Sequence, residues 1–288
     1  MPTAVTPGAG QLPRLEIGTP AGAAEIYLHG AHVTRWQPSH AEAPVLWVSE
    51  HSFWEDGKPI RGGVPICFPW FGPHGSGPSA PAHGFGRLAD WTLVSAVERN
   101  DGRAIATFAL EGDRMSEPWP FRFQATYEVA VGTTLSMSLE VENRDDKEFT
   151  FEEALHTYFT VSDIAGVSIS GLERTPYLDK AGGSTERTQG DTPIRFTGET
   201  DRVYLETTAT CSIDDPGLHR RIAVSKENSR STVVWNPWIA KAHAMADFGD
   251  EEWRGMVCVE TANVGAAAVR LAPGERHRMT VSLAVESR

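Results

Sequence analysis

His156 and Glu260 each place a titratable side chain among apolar residues. His156 lies within the run Phe151–Phe159, and Glu260 ends the apolar run that begins at Met256. A histidine with apolar neighbours is either a core residue with satisfied hydrogen bonds or a proton donor. A carboxylate that ends an apolar strand is costly unless a partner or a cleft solvates it. Together the two residues indicate acid–base chemistry on a polar substrate.

The stretch from Arg61 to Arg87 is rich in glycine and proline, but it also contains bulky apolar residues together with His74 and His83. This composition indicates a long ordered loop, which within a compact domain is usually functional. Its arginines and histidines suit a pocket wall that receives an anionic group. The alternative is that Arg61 and Arg87 are salt-bridged anchors of the loop.

Three other sites carry weaker signals. Asp201 opens the short strand Asp201–Tyr204, where it either faces a ligand or only ends the preceding loop. Residues 75–80 have the sequence GSGPSA, which we do not interpret as a dinucleotide-binding turn because no strand and helix flank it. His29 and His32 stand three residues apart without a nearby cluster of cysteines or carboxylates, so we expect no metal site and no cofactor.

The elements that position these residues are strands. Leu135, Met137, Leu139 and Val141 alternate with polar residues, as in a half-buried strand, and residues 279–286 repeat the pattern. Ile239–Asp247 is the best helical candidate. Further strands are predicted at Ala24–Leu28, His32–Gln37, Trp91–Glu98, Ala104–Leu110, Phe121–Val131, Phe149–Thr160, Ile222–Lys226, Ser231–Trp235, Met256–Thr261 and Ala268–Leu271.

Strands without alternating helices predict an all-β fold, a large antiparallel β-sandwich with few short helices. No linker or internal repeat divides the chain, so we expect a single domain over residues 1–288, with residues 1–11 frayed. The polar, irregular tract Gly171–Thr200 is either a solvated surface excursion or a flap beside the pocket.

The overall composition narrows the class of partner. A formal net charge of −12 over 288 residues argues against nucleic acid or an anionic membrane as a partner. The three cysteines, Cys67, Cys211 and Cys258, form no C-x-x-C pair and suggest buried, reduced thiols. The N-terminal residues lack the pattern of a signal peptide. We therefore expect a cytoplasmic protein, and we expect it to be a monomer.

Eight short motifs together resemble the aldose 1-epimerase (mutarotase) superfamily, and more closely its glucose-6-phosphate 1-epimerase branch. The RGG-P and HGF-R elements are the most specific of them. The motifs are HGAHV at 29–33, RGGVP at 61–65, FPWFG at 68–72, HGFGR at 83–87, EALHTY at 153–158, TDRVY at 200–204, VWNPW at 234–238 and VETAN at 259–263. The fold that the resemblance implies is the galactose mutarotase-like supersandwich.

The resemblance also implies roles for individual residues. His156 matches the general acid of the family and Glu260 its general base. His83 matches a second histidine near the ring oxygen, and Asp201 matches a ligand of the sugar hydroxyls. The arginines associated with phosphate are matched by Arg61 and Arg87. Ala82 departs from the pattern, because close relatives often carry glutamine there.

The implied reaction interconverts the α and β anomers of a hexose 6-phosphate through the open aldehyde, with a small-molecule sugar phosphate as partner. It needs no cofactor, because a hemiacetal already opens slowly by itself. We expect a protonated His156 beside an ionised Glu260, since a neighbouring carboxylate raises the pKa of an imidazole. The alternatives are an aldose 1-epimerase acting on unphosphorylated sugars and a non-catalytic carbohydrate-binding protein. A glycosidase or lyase would use two carboxylates rather than a histidine and a glutamate.

Overall fold

The computed structural model describes residues 4–75, 80–113 and 117–288. Its α-helix is α1 (Trp238–Ala244), and 3-10 turns cover Ala9–Gln11, Pro216–Leu218, Glu252–Gly255 and Gly265–Ala267. In chain order its strands are β1 (Val5–Pro7), β2 (Pro13–Thr19), β3 (Gly22–Tyr27), β4 (His32–Pro38), β5 (Ile66–Cys67), β6 (Thr92–Glu98), β7 (Ala104–Gly112), β8 (Phe123–Val131), β9 (Thr134–Asn143), β10 (Phe149–Phe151), β11 (Glu153–Leu155), β12 (Tyr158–Thr160), β13 (Ser168–Ser170), β14 (Pro176–Asp179), β15 (Thr185–Thr188), β16 (Thr200–Tyr204), β17 (Cys211–Asp215), β18 (Arg220–Glu227), β19 (Ser231–Asn236), β20 (Met256–Asn263), β21 (Val269–Leu271) and β22 (Arg276–Ser287).

Two eight-stranded antiparallel sheets dominate the fold. The first, which we call the site sheet, has the order β15-β14-β16-β19-β20-β11-β5, and β12 also pairs with β20. The second, the back sheet, has the order β13-β17-β18-β22-β9-β8-β7-β6. Smaller sheets are formed by β1-β2-β3-β4 and by β10-β21. The prediction of an all-β antiparallel sandwich with few helices is therefore confirmed.

One hydrophobic cluster joins the two large sheets. It includes Val234 and Val259 from the site sheet and Leu139 and Val281 from the back sheet, all without solvent exposure. Strand alternation explains this core, because every second side chain of a strand points to the same face. The shared core is compatible with a single domain over residues 1–288, which stays a prediction.

The structure corrects three local expectations. The segment Phe149–Thr160, predicted as one strand, forms the three short strands β10, β11 and β12. The fraying expected over residues 1–11 is wrong for residues 5–11, because β1 pairs with β2 and a 3-10 turn follows. The helix expected at Ile239–Asp247 begins at Trp238 and ends at Ala244.

Most of the GSGPSA segment, residues 76–79, lies outside the described residues. Cys67, Cys211 and Cys258 are buried and free, as expected. Among the helices of the described residues, none combines the length and the hydropathy that crossing a bilayer requires.

Candidate active site

The register of the site sheet places a row of side chains on one face. Asp201 on β16 pairs with Trp235 on β19, Trp235 pairs with Cys258 on β20, and Cys258 pairs with Tyr158 on β12. Directly opposed residues of antiparallel strands point to the same face, with Cβ atoms about 4.5–5.5 Å apart. The pairing therefore aligns Asp201, Trp235, Cys258 and Tyr158 across four adjacent strands of the sheet.

His156 and Glu260 meet beside this row as a buried pair. Glu260 lies two residues beyond Cys258 on β20, and His156 lies two residues before Tyr158, so all four belong to one face. The Nε2 atom of His156 is 3.3 Å from Oε1 of Glu260, and their side chains are 10% and 1% exposed. The ring of Tyr158 stacks on His156 at a centroid distance of 4.8 Å, and Trp235 meets the imidazole edge-on at 6.0 Å. These rings fix the plane of the imidazole.

The electrostatics of the pair differ from the expectation. Burial lowers the pKa of His156 well below its ordinary value, and the positive charges near it, at Arg87 and Arg61, act in the same direction. Burial raises the pKa of Glu260 well above its ordinary value, and the charge of Asp201 adds to this. The expected rise in the pKa of His156 is therefore wrong, because desolvation favours the neutral form of both groups.

His83 faces the same cavity from the HGFGR segment. The backbone N–H of Gly72 donates to its Nδ1 at 3.4 Å, so a neutral ring carries its proton on Nε2. Burial, reinforced by nearby arginines, lowers the pKa of His83 to about 3, which keeps the ring neutral at neutral pH. Gly84 has φ +73°, and a Cβ there would lie 2.0 Å from the carbonyl oxygen of Phe68. Glycine is thus required at position 84, where the segment that carries His83 passes close to the backbone of Phe68.

Arg61 is already anchored by a carboxylate. Its Nε and Nη2 donate to the two oxygens of Asp247 at 3.1 and 3.2 Å, and Nη1 donates to the hydroxyl of Tyr158 at 3.1 Å. Since a guanidinium has five N–H donors, these three bonds leave two N–H groups for a ligand. Arg61 is therefore both a loop anchor and a cation that lines the cavity.

Arg87 has a different environment. Its Nη2 donates to the carbonyl of Ala82 at 2.9 Å, and its Nε is buried without an acceptor among the described residues. No carboxylate of the described residues lies within ion-pair distance of this guanidinium, and burial lowers its pKa. Arg87 is not among the residues that line the cavity, although its charge acts on both His156 and Glu260.

The cavity that contains these groups has a volume of about 270 Å³. His156, Glu260, Arg61, His83 and Asp201 all line it, so five of the six predicted site residues are brought together. This volume lies just below the roughly 300–1,000 Å³ typical of ligand pockets, which suits a ligand as small as a single sugar ring. A larger hollow of about 420 Å³ lies beside Arg220 at the other sheet, without a histidine–carboxylate pair like that of the site.

Sequence reasoning missed several residues of the cavity. The residues that also line it are Phe71, Gly72, Pro73, Tyr158, Lys180, Val233, Trp235, Lys241 and Met245. Tyr158 was detectable, because it is two residues from His156 in an alternating segment. Lys180 belongs to the polar tract Gly171–Thr200, which forms the hairpin β14–β15 at the edge of the site sheet and reaches the cavity at this lysine. Of the two alternatives for this tract, a flap beside the pocket describes the position of Lys180 better than a solvated surface excursion.

Among the described residues, two groups of side chains have the spacing of metal ligands. His156, Cys258 and Glu260 have ligand atoms within 4.8 Å of one another, and so do His29, Asp56 and Asp90. In the first group, His156 and Glu260 already contact each other. His32 is not part of either group, and its Nε2 binds the carbonyl of Gly62 at 2.7 Å instead. The expectation of no metal stays a prediction.

The comparisons with known proteins agree with this geometry. The aldose 1-epimerase family model matches residues 13–284. The chain belongs to the aldose 1-epimerase family. A curated relative from Escherichia coli K12, named "Putative glucose-6-phosphate 1-epimerase", is 39% identical over 252 residues, which cover 88% of this chain and 83% of the relative.

Solved structures of similar proteins support the same assignment. The crystal structure of a "putative mutarotase" from Salmonella typhimurium is 35% identical, with a TM-score of 0.89 and coverage of 96% of this chain and 91% of that one. A galactose mutarotase-like protein from Clostridium acetobutylicum is 14% identical, with a TM-score of 0.72 over 97% and 96% of the two chains. At that identity the likeness concerns the fold alone. This member of the aldose 1-epimerase family therefore has the galactose mutarotase-like sandwich that its motifs predicted.

Proposed function

We propose that this epimerase-family protein interconverts the α and β anomers of a hexose 6-phosphate, with glucose 6-phosphate as the preferred candidate. The observation that carries the proposal is the contact between His156 and Glu260 inside a cavity sized for one sugar ring. An acid and a base that face one site are what the opening of a hemiacetal requires. The name of the relative from Escherichia coli, "Putative glucose-6-phosphate 1-epimerase", supports the phosphorylated substrate.

The proposed reaction has two mirrored halves. Glu260 removes the proton of the C1 hydroxyl while His156 donates a proton to the ring oxygen, and the C1–O5 bond breaks to give the aldehyde. C1 then rotates about the C1–C2 bond. In the second half the ring oxygen attacks the other face of C1, His156 takes back its proton, and Glu260 returns a proton to the C1 oxygen. No atom or electron is gained or lost overall.

The two residues share one proton throughout this cycle. Before opening, the proton is on His156 and Glu260 is ionised; with the aldehyde bound, His156 is neutral and Glu260 is protonated. Burial favours the second, neutral arrangement, because it lowers the pKa of His156 and raises that of Glu260. The site therefore stabilises the protonation state that accompanies the open-chain intermediate, relative to the charge-separated one.

The phosphate is assigned to Arg61 and Arg87. Arg61 lines the cavity and keeps two N–H groups free of Asp247 and Tyr158. Arg87 does not line the cavity, but its buried Nε has no acceptor among the described residues and its charge acts on His156 and Glu260. A planar guanidinium suits phosphate oxygens, because it donates two parallel hydrogen bonds. Asp247 holds the guanidinium of Arg61 in place, so Arg61 both anchors the loop and binds the phosphate.

His83 and Asp201 are assigned to the sugar itself. His83 is neutral with its proton on Nε2, so it is a hydrogen-bond donor to a sugar oxygen. Asp201 lines the cavity with a half-buried carboxylate whose pKa burial raises, and a carboxylate accepts hydrogen bonds from sugar hydroxyls. Ala82 has no polar side chain at the position that is often glutamine in relatives, and its carbonyl binds Arg87 instead.

The test is anomer interconversion, followed by polarimetry or by NMR exchange, on glucose 6-phosphate and on glucose. We expect the protein to accelerate the reaction and to have the higher kcat/KM for the phosphorylated sugar. Equal kcat/KM on both sugars would identify an aldose 1-epimerase for unphosphorylated sugars. Binding without acceleration would identify a non-catalytic carbohydrate-binding protein.

A further inference from the structure

The lysines and arginines that line the cavity differ in how their charges are compensated. Arg61 is paired with Asp247, and Lys241 lies 3.1 Å from Glu199 and 3.7 Å from Asp201. His83 is neutral, since its pKa is lowered by burial to about 3. These groups therefore contribute little net positive charge to an incoming anion.

Lys180 is the exception. Within the described residues, no carboxylate lies within ion-pair distance of its ammonium, which sits 5.2 Å from the centre of the Phe71 ring. The residue is exposed and also lines the cavity, so it stands at the rim. An aromatic face attracts a cation without neutralising its charge. The rim of the cavity thus has an ammonium whose charge is available to a ligand.

The backbone holds Lys180 in this position. It directly follows β14, and its N–H donates to the carbonyl oxygen of Asp201 at 2.8 Å. The turn after it is closed by Asp179, which accepts from the backbone N–H groups of Gly182 at 3.0 Å and Ser184 at 2.8 Å. Only the flexible side chain of Lys180 is left free to move between Phe71 and the cavity.

The charge of Lys180 already acts on the site. It opposes the rise in the pKa of Glu260 and that of Asp201, and it helps to lower the pKa of His83. The protein as a whole has a formal net charge of −12, which repels a sugar phosphate. A local positive charge at the entrance is the physical means by which such a protein concentrates an anion there.

We propose that Lys180 is a specificity-determining residue, whose uncompensated ammonium draws the anionic substrate into the cavity and favours phosphorylated over neutral sugars. This inference rests on the proposed function. Lys180 acts on encounter and binding, and the proton transfers stay with His156 and Glu260. Its effect is therefore expected mainly in KM and kcat/KM, and it is expected to weaken as salt screens the charge.

The experiment compares the wild type with Lys180→Met and Lys180→Arg on glucose 6-phosphate and glucose, at low and at physiological ionic strength. In Lys180→Met, kcat/KM for glucose 6-phosphate is expected to fall about 10-fold at low salt. The fall in kcat/KM should be smaller at physiological ionic strength, where the Debye length is about 8 Å, than at low ionic strength, where it is about 30 Å. In Lys180→Met, kcat should change less than KM, and kcat/KM should fall less for glucose than for glucose 6-phosphate. Lys180→Arg should retain most of the efficiency.

Lys147→Met is the matched control. Lys147 is exposed and lies outside the cavity, and its substitution changes the net charge by the same amount. This variant should have the wild-type kcat/KM for both sugars. A preference for the phosphorylated sugar that survives in Lys180→Met, or an equal loss on both sugars, would overturn the role of Lys180 alone. A wild type without any preference for the phosphorylated sugar would overturn the proposed function instead.

Discussion

The Nε2 atom of His156 lies 3.3 Å from Oε1 of Glu260, while Nδ1 of the same imidazole and Oε2 of the same carboxylate are buried without partners among the described residues. An unsatisfied buried polar group costs about 1–3 kcal/mol. The pair therefore lowers the stability of the fold while it places an acid and a base together. This is typical of a site that is organised for a ligand.

Glu260→Gln should separate activity from stability. The amide keeps the shape but cannot take a proton, so the rate of anomer interconversion is expected to fall about 100-fold or more. Burial raises the pKa of Glu260 in the folded state, so its stabilising contribution is present below the unfolded pKa and is lost as the pH rises through the folded value. At neutral pH the variant should be at least as stable as the wild type in urea unfolding.

Cys258→Ser is the control for that substitution. Cys258 lies two residues before Glu260 on the same face of β20 and is equally buried, but the proposed reaction does not use it. The variant should keep most of the wild-type rate. If Cys258→Ser lost as much activity as Glu260→Gln, the loss would reflect packing of the strand and not removal of a base.

Arg87→Met should remove much of the preference for phosphorylated sugars. Each lost charge-assisted hydrogen bond to phosphate is expected to cost about 1.5–3 kcal/mol of binding free energy. The measurement is the ratio of kcat/KM for glucose 6-phosphate to that for glucose. Arg103→Met, which removes an exposed arginine paired with Asp101, should leave the ratio unchanged. An unchanged ratio in Arg87→Met would leave Arg87 as a loop anchor only.

The buried pair of His277 and Glu153 predicts a pH dependence of stability. The Nε2 atom of His277 lies 2.9 Å from Oε1 of Glu153, which has no solvent exposure. Burial lowers the pKa of His277, but the hydrogen bond and charge of Glu153 outweigh it, so the net pKa is raised. The stabilisation is therefore complete below the unfolded value of about 6.5 and is lost as the pH rises through the raised folded value.

His277→Gln isolates this contribution. The difference in free energy of unfolding between wild type and variant should be largest at about pH 6 and should decrease as the pH rises above about 6.5. Urea unfolding at a series of pH values measures it. Histidines with lowered pKa, such as His83, titrate equally in both proteins and cancel from the difference. A difference that stays constant with pH would mean that His277 is neutral in the folded state.

Gly84→Ala should destabilise the loop that carries His83. The φ of +73° costs a non-glycine residue about 1–3 kcal/mol, and the new Cβ would also approach the carbonyl oxygen of Phe68. The free energy of unfolding and the activity should both fall. Gly198→Ala is the matched control, since a Cβ there meets nothing within 4 Å. Its stability should change by no more than about 0.5 kcal/mol; a comparable loss in both variants would contradict the steric explanation.

The sequence alone predicted the type of fold and most of the polar residues of the cavity. Alternation in Leu135–Val141 is a local property of a strand, so it indicated a half-buried antiparallel sheet without any knowledge of partners. The motifs at 83–87 and 259–263 likewise carried the family in their own residues. His83, His156 and Glu260, each of which stood out in its own motif, line one cavity.

Tertiary structure decided which residues contact one another and how the pKa of each buried group is shifted. Alternation fixes the face of a residue but not the strand that pairs with it, so the sequence did not indicate that Asp247 holds Arg61 or that Lys180 reaches the cavity. The sequence also predicted a raised pKa for His156 from one neighbour, Glu260. The structure lowers it, because the pKa of a buried group depends on desolvation and on every charge around it, which only the folded chain brings together.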